Sequence, residues 1–462
     1  MLKIHVVRQG GHHYYVADLI PGRAAGGRVA GEEPGAWSGG GAAALGLRGA
    51  VRVEAFGEVF DGRHPTTGAP LRRRRGDRSV SGYDLTFCAP KSVSLLHVLA
   101  PKEIATEVGA GHRAAVDEAA GYLGRAAVGV CRGRHGQVAL LASTGPVAGA
   151  FVHRTSRALD PHLHTHLVVA NVAEGVDGRW SAVDSRRLFA HLGAVQGIYH
   201  ARLRLELGAR IGASWEVRQS GLGDVSGVDP TMRRLFSQRT ASMDEYGRGA
   251  VRPAAPGFRS RAVFHATRPD KDHEVTVEAL VTEWKQRAVD FGFDLGDLTR
   301  VVGARRDGQH HPDIDHRRVQ ERLERMVGQG RPIARRHVVA TVAAAATLGA
   351  PADQIESVAS RIVEVAGPPV AGATGSGLDA ATGCDSRGTG VVEPRWQAAD
   401  VARAVERFPA VLAAGETPGS VASTTAGRQA VDRGRRIGPR IRTNGRSHDS
   451  LRPPTDAHSL DR

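Results

Sequence analysis

Two apolar runs, 147–152 and 167–170, flank three histidines, and strand alternation fixes which way those histidines point. Successive side chains of an extended chain take opposite faces, so His164 and His166 share one face and Thr165 takes the other. The run ending in Phe151-Val152-His153 suits a buried strand. Turn-forming residues 154–161 then let a second strand, 163–172, fold back beside it. The pairing sets His153 next to the other two. Three neutral imidazoles on one wall of a sheet can bind a divalent metal and leave positions open for a substrate. Among 21 His an H-x-H pair also arises by chance, and a strand His is often a satisfied surface residue. A His pair beside a buried strand, however, needs polar partners. A cupin-type site would place a carboxylate four residues on, where this chain has Ala170, with its first Glu at Glu174.

A chain of 462 residues has room for two to four domains, and a formal net charge of +14 favours an acidic polymer, by default nucleic acid, as partner. Nearly all the positive charge is Arg. Only Lys3, Lys91, Lys102, Lys271 and Lys285 are lysines, and Arg forks suit phosphate geometry; a GC-rich genome would enrich Arg as well. Cys88, Cys131 and Cys384 are isolated, so neither a disulfide framework nor a cysteine zinc site follows. The opening residues read as a strand rather than a secretion signal, and no apolar stretch is long enough to span a bilayer. A cytoplasmic protein without membrane insertion is the expectation.

Strand patterns at 4–7, 83–87, 138–142, 147–153 and 163–172 are separated by few, long helical patterns, which predicts an α+β architecture with a central antiparallel sheet. Helices are expected over 103–127 and from a cap at Asp184 or Ser185 to Leu207, ended by Gly208. Residues 22–49, rich in Gly and Ala, read as a mobile lobe. Further helices are expected over 230–240, 275–291 and in a unit at 312–366. Past Gly367 the composition turns to Gly, Ala, Thr, Ser and then Arg, which predicts a disordered basic tail.

Phosphodiester chemistry needs a nucleophile, and Tyr14-Tyr15 follow the first strand directly. A tyrosine hydroxyl is a weak nucleophile without a base or a metal. Adjacent helical residues point about 100° apart, so one tyrosine can face a site while the other packs; taken alone, such a pair is more often packing. Asp84, on the polar face of strand 83–87, can reach an imidazole, fix its tautomer and act on a tyrosine proton. As an exposed strand residue it would do neither. Lys91 and the hydroxyls beside it are phosphate-contact candidates or a helix cap. Arg154 and Arg157, next to His153, suit phosphate clamping, with an Arg157–Asp160 ion pair as the alternative. The run Arg72–Arg75 suits non-specific phosphate contact or solvated loop charge.

These segments together resemble the TrwC/TraI-type (MobF) relaxase domain of the HUH endonucleases. The likeness is carried by Tyr14-Tyr15, the run from Asp84 to Ser94, His153-Arg154-Thr155-Ser156-Arg157, and Asp160-Pro161-His162-Leu163-His164-Thr165-His166. Trp37 with residues 39–47 adds to it. It covers about residues 1–300, leaving 301–366 as a helical accessory region and 367–462 as tail. The resemblance implies an HUH-type sheet with flanking helices and a divalent ion (Mg, Mn or Zn) on His153, His164 and His166. It implies Tyr15 as nicking residue with Tyr14 as fallback, Asp84 as the carboxylate serving both, and Lys91, Arg154 and Arg157 at DNA. The implied activity is conjugative: nicking and rejoining single-stranded DNA at an origin of transfer through a 5′-phosphotyrosyl link. Partners implied are that strand with its hairpin, relaxosome accessory proteins and the coupling protein of a type IV secretion apparatus.

Two departures stand out. Some family members carry a second tyrosine pair about eight residues later, where this chain has Gly22-Arg23-Ala24. Larger members fuse a helicase, but no Gly-Lys dipeptide and no Lys after Lys285 exist here, so no Walker A loop is expected. A rolling-circle initiator shares the chemistry but usually places its tyrosine after the HUH motif. A non-cleaving relaxase remnant would bind DNA without forming an adduct.

Overall fold

Residues 83–88 and, His166 apart, 163–170 are buried, as strands in the middle of a largely covered sheet must be. The computed structural model describes residues 2–16, 34–72, 79–134, 137–156, 158–238, 276–303, 313–330, 332–368 and 395–413. The chain opens with β1 (Leu2–Arg8), α1 (His13–Val16), β2 (Ala36–Ser38), α2 (Gly40–Ala44), α3 (Val53–Phe60), β3 (Val80–Cys88), α4 (Lys91–Leu99) and α5 (Lys102–Ala126). The hairpin β4 (Gly129–Arg134) and β5 (Gln137–Ala142) precedes β6 (Ala148–Thr155) and β7 (Pro161–Ala170). Then come β8 (Ala173–Glu174), β9 (Trp180–Ser181), α6 (Ser185–Ala190), α7 (Leu192–Ile211), β10 (Trp215–Val217), β11 (Gly223–Val225) and α8 (Pro230–Leu235). The remainder comprises α9 (Val277–Asp290), α10 (Gly296–Arg300), α11 (His316–Val327), β12 (Ile333–Ala334), α12 (Arg335–Ala345), α13 (Ala352–Val365), β13 (Arg395–Trp396) and α14 (Ala398–Ala413).

Five strands form one antiparallel sheet in the order β1-β3-β7-β6-β2. Register sorts its faces, because directly opposed residues point the same way. Lys3 and His5 of β1, Asp84 and Thr86 of β3, His164, His166 and Val168 of β7, and Phe151 and His153 of β6 share the front. Leu85, Phe87, Leu163, Thr165 and Leu167 share the back, where α4, α5 and α7 cover them. Part of the front is closed by a core of Val7, Phe56, Val59, Phe60, Phe151 and Val168, onto which Tyr15, Trp37 and Trp180 pack. Each buried aromatic there contributes about 1.5–3 kcal/mol. The uncovered rest of the front is the site.

Several boundaries differ from the sequence expectations. The helix expected from Asp184 breaks at His191, whose Nδ1 lies 3.1 Å from the Tyr122 hydroxyl. Asp184 does cap α6, accepting from the Arg186 amide. Helix α7 runs past Gly208 and ends at Gly212, where φ is 65°; buried Ile211 continues its apolar stripe. The Gly-rich stretch is not all irregular: residues 17–33 lie outside the described set, but Trp37 sits on edge strand β2 and contacts Phe56. Gly40 comes so close to Thr144 O that an added Cβ would lie 2.0 Å from it. Within the expected tail, β13 pairs with β12, and buried Trp396 donates its indole N–H to Gly367 O at 2.8 Å. The rest of the tail beyond 413 lies outside the described residues. No described helix is long and apolar enough to cross a membrane.

Candidate metal and nicking centre

Register alone brings the histidines together. His153 on β6 opposes His164 on β7, and His166 follows two residues on, on the same face. The ring centroids stand 5.0–5.2 Å apart, and one nitrogen from each ring lies within 4.8 Å of the others. Among the described residues this is the one group of His, Cys, Asp or Glu arranged to hold a metal ion. The donor set fits such an ion. Nδ1 of His166 lies 2.8 Å from Asp84 Oδ2 and Nδ1 of His164 lies 2.8 Å from His162 O. Both contacts orient the rings and leave Nε2 free. Burial, and then the neighbouring His166, lowers the pKa of His164 to about 3, so the ring is neutral, as a ligand must be.

Asp84 is central. Its carboxylate accepts from the Tyr15 hydroxyl at 2.9 Å and from the His166 ring, and Thr86 Oγ1 stands 3.4 Å from the same group. Burial pushes the Asp84 pKa up, but the charge and hydrogen bond of His166 and the Tyr15 hydroxyl outweigh it, leaving it below the ordinary range. Tyr15 moves the other way. Burial and then the Asp84 charge hold its phenol far above the ordinary value, so without added positive charge it stays protonated. Its ring lies 5.8 Å from His166 and 6.0 Å from Phe151. Tyr14 stands edge-on to Tyr15 at 5.2 Å and is exposed. The pair divides as helical geometry requires, with Tyr15 inward.

Lys91 departs from its expected role. Its ammonium is turned into the protein and donates to Pro161 O at 2.7 Å and Phe236 O at 2.8 Å. Burial lowers its pKa to about 8, with Asp160 opposing. The side chain ties the start of β7 to the end of α8, because an interior ammonium needs acceptors and two carbonyls supply them. Arg154 follows His153 where the β6–β7 register slips between His153 and Thr155. Arg157 and Arg73–Arg75 lie outside the described residues, and Arg72 donates to Val80 O at 3.2 Å. Asp160 accepts instead from the Gln238 amide at 2.9 Å.

Sequence reasoning gave no role to two further groups, one behind the sheet and one beside His164. Buried His112 of α5 reaches the Thr165 hydroxyl at 2.8 Å with Nε2 and the Tyr199 hydroxyl at 2.9 Å with Nδ1. It thereby ties the back of the metal strand to α5 and α7. His162 stacks on His164 at 4.7 Å. Thr165, lying between two front-facing histidines, was the available signal.

The front of the sheet thus brings together three histidines able to hold a metal ion, an acid and an inward tyrosine. The TrwC relaxase family model matches residues 6–291, more than half of the chain, and the chain belongs to that family. It is 33% identical over 270 residues to the multifunctional conjugation protein TraI of Escherichia coli, a match covering 56% of this chain and 15% of that protein. The K12-strain TraI is 33% identical over 283 residues, covering 59% of this chain and 15% of that protein. The chain therefore spans only a small part of these relatives. Among solved structures, conjugative relaxase TrwC with OriT DNA, metal-free, is 29% identical at a TM-score of 0.55, over 64% of this chain and 100% of that one. The metal-bound TrwC complex with OriT DNA is 29% identical at a TM-score of 0.56 over the same shares.

Proposed function

We propose that this protein is a conjugative relaxase that nicks and rejoins one DNA strand at an origin of transfer, with Tyr15 as nucleophile. The observation carrying the reading is the continuous chain Tyr15 hydroxyl–Asp84 carboxylate–His166 imidazole, ending in the three-histidine cluster. The TrwC relatives hold OriT DNA, one of them metal-bound, which supports both the strand and the ion. A divalent ion held by His153, His164 and His166 supplies positive charge that polarises a phosphate oxygen and favours the phenolate.

The rest belongs to the chain. Asp84 aims the Tyr15 oxygen and takes its proton as the oxygen attacks phosphorus. The new O–P bond replaces the bond to the 3′-oxygen, which leaves as a 3′-hydroxyl once protonated, while the 5′ side stays joined to Tyr15. One phosphodiester is exchanged for another, so attack by a 3′-hydroxyl reverses the step without ATP. Arg154 adds phosphate contact. The setting is the cytoplasm of a bacterium, where accessory relaxosome proteins and a secretion coupling protein would receive the protein–strand adduct.

The test uses single-stranded oligonucleotides tiling both strands of the DNA beside its gene, with Mg²⁺ or Mn²⁺, on a denaturing gel. The expected result is one strand cut at one place with a covalent adduct, lost with EDTA, in His164→Ala and in Tyr15→Phe. Binding of these strands without an adduct under any metal would replace this reading with that of a non-cleaving remnant.

A further inference from the structure

We propose that Lys3 binds a phosphate flanking the scissile one, extending the site across the sheet to its edge strand. The inference rests on the nicking reading and adds to it a DNA contact on the edge strand of the sheet. Lys3 on β1 directly opposes Thr86 on β3, and Thr86 directly opposes His166 on β7. Opposed residues share a face, so Lys3 stands on the histidine wall, two strand spacings or roughly 9.5 Å along the sheet from His166. It is exposed, and it has no hydrogen-bond or ion-pair partner among the described residues.

The surroundings suit a phosphate. Lys91, the other lysine near β7, is consumed by two backbone carbonyls, so Lys3 is the lysine left available on this wall. A flexible stem with a hydrated point charge binds a passing phosphate without demanding one geometry. A strand laid from β7 over β3 carries its next phosphates past Thr86 to Lys3. Lysine on an edge strand also blocks unwanted strand pairing, and a residue serving only that purpose would leave DNA affinity untouched.

Salt dependence separates the two roles. The probe is a labelled mixed-sequence single-stranded oligonucleotide, since phosphate contacts carry no sequence information. Its affinity for the full chain in the non-cutting Tyr15→Phe background is followed by anisotropy from low to moderate salt. Removing one phosphate contact lowers the slope of log affinity against log salt by about 0.7. A fourfold rise in salt should then weaken the parent roughly 2.6-fold more than Lys3→Gln. Lys3→Arg should restore the slope, and Lys102→Gln, exposed at the start of α5, should leave it unchanged. A slope unaltered in Lys3→Gln, or lowered equally in Lys102→Gln, overturns the Lys3 assignment and leaves the nicking reading standing. Failure of the parent to bind single strands overturns both.

Discussion

Asp84 accepts from two groups whose needs differ. From His166 it takes a hydrogen bond that fixes the ring, and from Tyr15 one that the proposed nicking step would turn into a proton transfer. Asparagine keeps the shape but offers its amide or its single oxygen and no charge, so both functions weaken. Asp84→Asn should lower the single-turnover nicking rate roughly 100- to 10,000-fold while strand binding persists; quench-flow on a mapped strand would measure it. A second residue nearby makes the fold acid-sensitive. His12, just before α1, is buried against Phe60 at 5.7 Å, and neither ring nitrogen has a hydrogen-bond partner among the described residues. Burial, then the neighbouring His13, lowers its pKa to about 4. The unfolded chain binds a proton at higher pH than the native one, so stability is full above the ordinary histidine range and is lost as pH falls from about 6.5 toward 4. The loss from this group approaches about 3 kcal/mol. His12→Phe should flatten the urea-unfolding free energy over that window, and an unchanged pH profile would contradict the assignment.

At the scale of elements, the site is a consequence of strand register supported by an aromatic layer. The short α1 gains its hold from that layer, because four residues cannot sustain a helix alone. Phe151 meets Phe56 edge-on at 5.6 Å and touches Tyr15. Phe151→Ala should cost about 3–5 kcal/mol in urea unfolding and slow nicking further by freeing Tyr15. Equal stability would show that the layer closes without it. Much of this was legible in the sequence, since alternation placed His164 and His166 together and put Asp84 on the polar side of its strand. What alternation could not supply was the partner across each strand. The order β1-β3-β7-β6-β2 brings Lys3 and Thr86 into line with His166 through pairings distant in sequence. The inward turn of Lys91 likewise depends on carbonyls at residues 161 and 236.

Across the whole molecule, α12 is fastened onto the sheet-bearing part through α7. Arg204 of α7 is buried and donates to Ala346 O at 2.9 Å, Gly221 O at 2.9 Å and Ala343 O at 3.2 Å. It thereby satisfies the last carbonyls of α12, as helix ends require. Gly197 lets α12 approach α7: an added Cβ would meet Ala343 Cβ at 2.9 Å. Arg204→Ala leaves those carbonyls unpaired and should cost about 3–5 kcal/mol, read as a lower urea midpoint. An unchanged midpoint would mean that α12 is held by apolar contact alone.

The role of Tyr15 is tested most directly by locating the covalent bond. Wild-type protein is incubated with the cleaved strand and a divalent ion, denatured, digested with protease and nuclease, and mapped by mass spectrometry for a tyrosine carrying a 5′-phosphonucleotide. The account requires that mass on Tyr15, with none on Tyr14. Modification of Tyr14, or cutting of the strand with no modified tyrosine, would contradict it.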